Sequence, residues 1–195
     1  MSAVPKRRFS LAEYLAKEDA AEFKSEFFAG EMFAVAGAAP EHNGIKENLS
    51  IEVGGRLRGG PCRTYSGDQR VAIDETGLFT YPDFVVVCGR PEFHAADRNS
   101  LTNPLVVVEV LSDSTEGYDR GAKFRNYQAR PSIREYWLVS QDRMLVERYV
   151  RQPDGDWRLT VFDDPAGDVE FASIPVRLPL ASLYLGVEFP DEPMR

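Results

Sequence analysis

Leu105-Val106-Val107-Val108-Glu109-Val110-Leu111 is an apolar run interrupted by a single acid. Runs of this kind form strands buried on both faces. A carboxylate inside one is costly unless it is paired or coordinates a metal. A second run upstream, Tyr81-Pro82-Asp83-Phe84-Val85-Val86-Val87, carries its acid near the start. Pro82 can open a strand but cannot donate to a central ladder, so Asp83 belongs at a strand end, where irregular backbone can aim a side chain. Lys123 follows on a segment that reads as helix. Two carboxylates on neighbouring strands with a lysine beside them suit Mg2+, which takes one or two carboxylates and leaves its other positions to water and substrate phosphate. The bland alternatives are that Asp83 caps a turn, that Glu109 pairs with an arginine, and that Lys123 makes an i,i+4 surface pair with Asp119.

The 195 residues fit one domain spanning 1–195, long enough to bury a core. Hydrophobic and charged contents of 43% and 28% exclude a disordered chain. No apolar stretch approaches the roughly 18 residues of a membrane span. The start, Met1 to Phe9, has basic residues but no apolar segment after them, so a cytoplasmic protein is expected. Cys62 and Cys88 are the only cysteines, and reduced, buried thiols are expected rather than a disulfide. No Cys/His spacing points to zinc, and no motif points to an organic cofactor. The net charge of −8 cuts against nucleic-acid binding, which draws on Lys and Arg to neutralise phosphates, unless the basic residues share one face.

Working outward, Ser10-Leu11-Ala12-Glu13 forms a capping box that opens a helix over 10–19. Residues 23–35 read as a hairpin turning at Gly30. Pro40-Glu41-His42 begins a second helix carrying Ile45, Leu49, Val53 and Leu57, closed by Gly59-Gly60-Pro61. Residues 62–66 and 69–73 read as short strands meeting at Gly67-Asp68. After the Asp83 strand comes a polar loop over 89–103, then the Glu109 strand and a helix over 119–129. Further strands are expected at 134–140, 145–151 and 157–162, with an apolar tail over 174–190 packing back. The pattern is α/β (α+β), a mixed β-sheet flanked by helices, with an N-terminal helix and hairpin.

His42, at a helix start, is either a site residue contacting phosphate or metal-bound water, or a terminal histidine bonded to nearby backbone. Glu26 and Glu31 flank the first hairpin and by themselves are surface acids. His94, in the polar loop, is expected to be solvated.

These residues together resemble a known family. The ordered series is Glu26-Phe27-Phe28-Ala29-Gly30-Glu31, Pro40-Glu41-His42, Pro82-Asp83, Glu109-Val110-Leu111-Ser112, Asp119-Arg120-Gly121-Ala122-Lys123, Tyr127 and Glu135-Tyr136-Trp137-Leu138-Val139. It is similar, over residues 10 to 150, to the Uma-type restriction endonuclease family of the PD-(D/E)XK nuclease superfamily. The resemblance implies a restriction-endonuclease-like core and Mg2+-dependent DNA cleavage, with Mn2+ as a substitute. It makes Asp83 and Glu109 the metal-binding acids, with the backbone carbonyl of Val110 completing the shell. The superfamily lysine ordinarily lies two residues after the second acid, where this chain has Leu111; the resemblance moves that role to Lys123. Glu26 and His42 match positions that approach the cleft.

The leading expectation is a metal-dependent DNA endonuclease that hydrolyses phosphodiester bonds by metal-activated water. A homodimer is expected because two strands must be cut. The alternative is a catalytically inactive nucleic-acid- or protein-binding module on a nuclease-like scaffold, which the acidic charge favours.

Overall fold

The computed structural model describes residues 7–189; the first six residues and the last tail position, Pro190, lie outside them. Ser10 accepts from the Glu13 amide and Glu13 reaches back to the Ser10 amide, so the capping box opens α1 (Leu11–Glu18) as expected. Its buried Tyr14 donates to the Ser25 carbonyl at 2.7 Å, tying the helix to the hairpin of β1 (Ser25–Phe28) and β2 (Glu31–Ala34). The two turn residues of that hairpin, Ala29 and Gly30, have φ of 51° and 85°, the geometry a two-residue hairpin turn demands. Helix α2 (Pro40–Leu57) buries Ile45, Leu49, Val53 and Leu57 along one stripe.

The strands divide into two mixed six-stranded sheets. One contains β1 and β2 with β4 (Arg70–Ile73), β5 (Leu78–Thr80), β7 (Phe93–His94) and β8 (Asp97–Leu101), in the order β2-β1-β5-β4-β8-β7. The other comprises β3 (Cys62–Ser66), β6 (Phe84–Cys88), β9 (Val106–Leu111), β10 (Glu135–Ser140), β11 (Val146–Arg151) and β12 (Trp157–Phe162), in the order β12-β11-β10-β9-β6-β3. Within this second sheet β9 and β10 are parallel and the remaining neighbours antiparallel. Strand alternation sorts the valines. Val106, Val108 and Val110 join Phe84 and Val86 under α2, whereas Val107 and Leu111 join Val85 and Val87 against Val71, Ile73 and Leu78 of the first sheet. Tyr14, Phe27, Ala72 and Phe79 form a third cluster that seats α1 on the outer side of the first sheet. The layers are therefore α1, sheet, sheet, α2.

The C-terminal segment packs beside α2, as expected. It contributes β13 (Asp168–Glu170), β14 (Arg177–Pro179) and the short α5 (Leu180–Leu183), and Phe171 stacks on Trp137 with ring centroids 4.0 Å apart. Among the described residues no helix is long and apolar enough to cross a membrane.

The two short strands meeting at Gly67-Asp68 form as expected; β3 and β4 enter different sheets, and the turn passes the chain between them. Three expectations need correction. The polar stretch 89–103 is not a plain loop; it contains the β7–β8 hairpin, whose β8 lies parallel to β4. His94 is not simply solvated, since it stacks edge-on against Phe79 at 5.2 Å and lies 3.4 Å from Asp74. Cys62 and Cys88 are not free thiols. Antiparallel pairing of β3 with β6 sets them directly opposite one another, 3.9 Å apart at Cα, and they form a disulfide. With its ends 26 positions apart in sequence, this bridge should contribute about 3 kcal/mol, read as a lower urea midpoint in reductant than in oxidising buffer.

Candidate active site

Residues Val107, Glu109 and Leu111 share one face of β9, and the flanking two lie in the layer between the sheets. Glu109 is therefore forced into that layer, where it is only 3% exposed. Phe84 of β6 pairs with Val108 of β9, so Asp83, one step before Phe84, stands opposite Glu109 by extension of the register. Instead of continuing the ladder, Asp83 turns its side chain into it. Its Oδ2 accepts the Val110 N–H at 2.8 Å, and its backbone carbonyl accepts the Gly67 N–H at 3.0 Å. The two acids are thus register neighbours at the point where the pairing ends.

The connection from β9 to its parallel neighbour β10 delivers the lysine. It runs through a short α3 (Glu116–Tyr118), a π-helical turn (Asp119–Lys123) and α4 (Phe124–Ala129). π-Helical turns recur at functional sites. Here the turn directs both Asp119 and Lys123 inward, and Tyr136 pins it by donating to the Asp119 carbonyl at 3.0 Å. Lys123 Nζ lies 3.0 Å from Glu109 Oε1, 3.2 Å from Glu26 Oε1 and 3.5 Å from Asp119 Oδ1. Tyr127 of α4 donates to Glu109 Oε1 at 2.7 Å, and Thr80 donates to Glu26 Oε1. On the opposite side of Asp83, His42 Nε2 lies 2.9 Å from Oδ1 and Lys46 Nζ 3.4 Å from the same oxygen.

The structure therefore brings together Asp83, Glu109, Lys123, His42 and Glu26. The proposed pair of Lys123 with Asp119 also exists, but inside the cluster rather than on the surface. Val110 enters through its amide, which holds Asp83. Sequence reading overlooked Lys46, whose only signal is its place one helical turn after His42, and the inward role of Asp119.

The electrostatics follow from burial. Glu109 is pushed well above the usual carboxylate range by desolvation, with the Asp119 and Asp83 charges adding, against the downward pull of Lys123 and the Tyr127 hydroxyl. Desolvation likewise raises Asp119. Burial also pushes Asp83 upward, but the His42 contact, the Val110 amide and Lys46 outweigh it and hold this acid below its ordinary value. Lys123 would lose its proton more readily through burial, yet the charges of Glu109, Glu26 and Asp119 hold it well above the ordinary lysine range.

The cluster can accept a cation. Four carboxyl groups face two ammonium groups, so oxygen donors outnumber the cations among them. Tyr127 and Lys123 meet Glu109 at Oε1, and Thr80 and Lys123 meet Glu26 at Oε1. The donors are hard oxygens, the set that Mg2+ and Mn2+ favour. No three His, Cys, Asp or Glu side chains among the described residues enclose a metal by themselves, so an ion here would rest on two carboxylates, backbone and water, the usual habit of Mg2+.

Known proteins show the fold and kinship of the chain. A crystal structure described as a putative nuclease belonging to DUF820, from Anabaena variabilis, superposes with a TM-score of 0.73, covering 92% of this chain and 99% of that one at 18% identity. At that identity the likeness establishes the nuclease-type fold. Two uncharacterized proteins of Synechocystis sp. are each 36% identical to it: sll1609 over 85% of this chain and 93% of its own length, and slr1290 over 96% and 97%. Residues 11–181, which hold all the acids and lysines of the cluster, match the family Uma2, described as "Putative restriction endonuclease". The chain belongs to the Uma2 family.

Proposed function

We propose that the protein is a metal-dependent DNA endonuclease that hydrolyses phosphodiester bonds with water as nucleophile. The observation that carries this reading is the juxtaposition of Asp83 and Glu109 at the end of one strand pair with Lys123 bonded to Glu109. A buried acid inside a valine strand is expensive, and a plain structural role would be met more cheaply by an apolar residue.

Asp83 and Glu109 would hold Mg2+ or Mn2+, with the Val110 carbonyl as a backbone ligand. Such an ion, when bound, supplies an acidified water and a counter-charge for the phosphate. The chain's own groups set the geometry. Val110 N–H and His42 clamp the two oxygens of Asp83, so this carboxylate has one orientation. Tyr127 and Lys123 hold Oε1 of Glu109. Lys123 keeps Glu109, Glu26 and Asp119 within reach of a single ammonium and places positive charge beside the water-bearing space. Glu26, fixed by Thr80, offers a further acceptor there. Two such sites are required for a double-strand cut, so a homodimer forms part of the proposal, and sedimentation gives its mass.

In Mg2+ or Mn2+ the purified protein is expected to cleave duplex DNA, and chelation to stop it. Mn2+ at about 100 times its Kd should also stabilise the fold by about 2.7 kcal/mol, seen as a higher melting temperature that Asp83→Asn abolishes. Intact DNA and RNA after incubation with folded protein, together with a melt indifferent to Mn2+, would sink this reading in favour of the non-cleaving binding module.

A further inference from the structure

The two lysines of the cluster are not equivalent. Lys123 is enclosed, its side chain only 7% exposed, and three carboxylates lie within 3.5 Å of its ammonium. An ammonium has three donors, so each of the three has a carboxylate waiting for it. Lys46 is 22% exposed and meets one carboxylate, Asp83, which it shares with His42. Among the described residues Asp83 is the one carboxylate within ion-pair distance of it, and its partial exposure leaves the ammonium open to solvent.

The surroundings of Lys46 keep its head beside Asp83. His42 and Lys46 lie one turn apart on α2, so they project from one face of the helix, and both reach Asp83 Oδ1. The chain passes close by at the turn between β3 and β4. Gly67 stands there, and a methyl group at that position would lie 2.8 Å from Lys46 Nζ. The absence of a side chain at 67 leaves the space that the ammonium occupies. Lys24 secures the other side of the same turn, donating to the Gly67 carbonyl and to Asp68, each at 2.7 Å. One lysine thus fastens the turn, while the second lies in the gap the turn leaves open.

We infer that Lys46 is the residue that contacts the substrate's phosphate, and that Lys123 serves as the internal counter-charge of the carboxylates. The ligand class is a phosphodiester, approaching from the α2 side of Asp83. Lysine suits this role as a point charge with a mobile stem, able to follow a phosphate as its geometry changes. The assignment rests on the nuclease reading and adds to it a named contact. It also eases the problem posed by an acidic chain, since one partly exposed cation beside Asp83 offsets the carboxylates where an anionic backbone must approach.

The test is binding of a fluorescein-labelled DNA duplex, measured by anisotropy over a range of salt with Ca2+ in place of Mg2+, for wild type, Lys46→Gln and Lys46→Arg. Each phosphate contact contributes roughly 0.9 to the slope of log affinity against log salt. Lys46→Gln is expected to weaken binding roughly tenfold at low salt and to lower that slope by about one. Lys46→Arg should restore most of both, and melting temperatures should show that all three fold. If Lys46 merely neutralises Asp83, Lys46→Gln will leave the salt slope unchanged, and that result overturns the inference while the nuclease reading stands. Wild type that binds no DNA at any salt would overturn both.

Discussion

Lys123→Met should destabilise the metal-free protein by about 3–5 kcal/mol, the range for removing one partner of a buried ionic group. The size follows from what is left behind. Glu109, Glu26 and Asp119 all converge on this one ammonium, and methionine fills its volume without answering any charge. The loss appears as a lower urea midpoint at neutral pH, with the slope of the transition unchanged if the denatured state is unaffected. Mn2+ should recover part of it by supplying positive charge to the same carboxylates. A variant as stable as wild type would mean that the acids give up their charge or reach solvent once the ammonium is gone, and that Lys123 is not what holds them.

Glu109→Gln should reduce DNA cleavage by at least roughly 10²–10³-fold, the scale on which a single charge-stabilising group acts in an active site, measured as initial nicking rate of supercoiled plasmid. The amide keeps the shape and a hydrogen-bond acceptor for Tyr127 but loses the negative charge. Stability should move independently of activity. Glu109 in the fold titrates above its ordinary 4.5, so above that pH the folded protein binds more protons than the unfolded chain. Stability of the metal-free wild type therefore declines as pH rises from about 4.5 until the raised titration is passed, and Asp119, also raised, adds to the decline. Asp83 acts with the opposite sign: held below 3.8, it contributes stability that is present above that value and lost as the solution becomes more acid. Glu109→Gln should flatten the first trend and leave the second. Cleavage that survives the substitution would remove Glu109 from the chemistry.

Parts of the site were legible in the sequence because they break a local rule. An acid among valines stands out, and so does an aspartate after the proline that opens a strand, so Asp83 and Glu109 could be named from their own surroundings. Lys123 was named with them as the cation that follows, but a lysine four residues after an aspartate also describes most solvated helix faces, and the family likeness was needed to favour the site. Lys46 was missed for that reason, and its place beside Asp83 depends on how α2 lies across the sheet. The disulfide was missed because Cys62 meets Cys88 only through the register of β3 with β6, which no local pattern specifies. Gly67-Asp68 has the composition of a hairpin turn, yet its flanking strands are claimed by different sheets. In residues 89–103 the apolar alternation that marks strands is absent, and the β7–β8 hairpin is held instead by pairing with β4 and by Arg70, buried against Asp97 at 2.6 Å. Helices with continuous stripes and strands with valine runs were read correctly; elements stabilised by distant partners were not.

The position two residues beyond Glu109 is Leu111, a core residue, and the cation comes instead from the connector that follows. Core strands open only with the whole molecule, whereas surface connectors open at lower free energy. The acids and their counter-charge therefore belong to parts of the molecule with different local stabilities. Each excursion of the π-helical turn would unlatch Lys123 and set the carboxylates against one another while both sheets stay intact. On the nuclease reading, the arrangement of the acids then depends on a latch carried by the connector rather than on the strands that bear them.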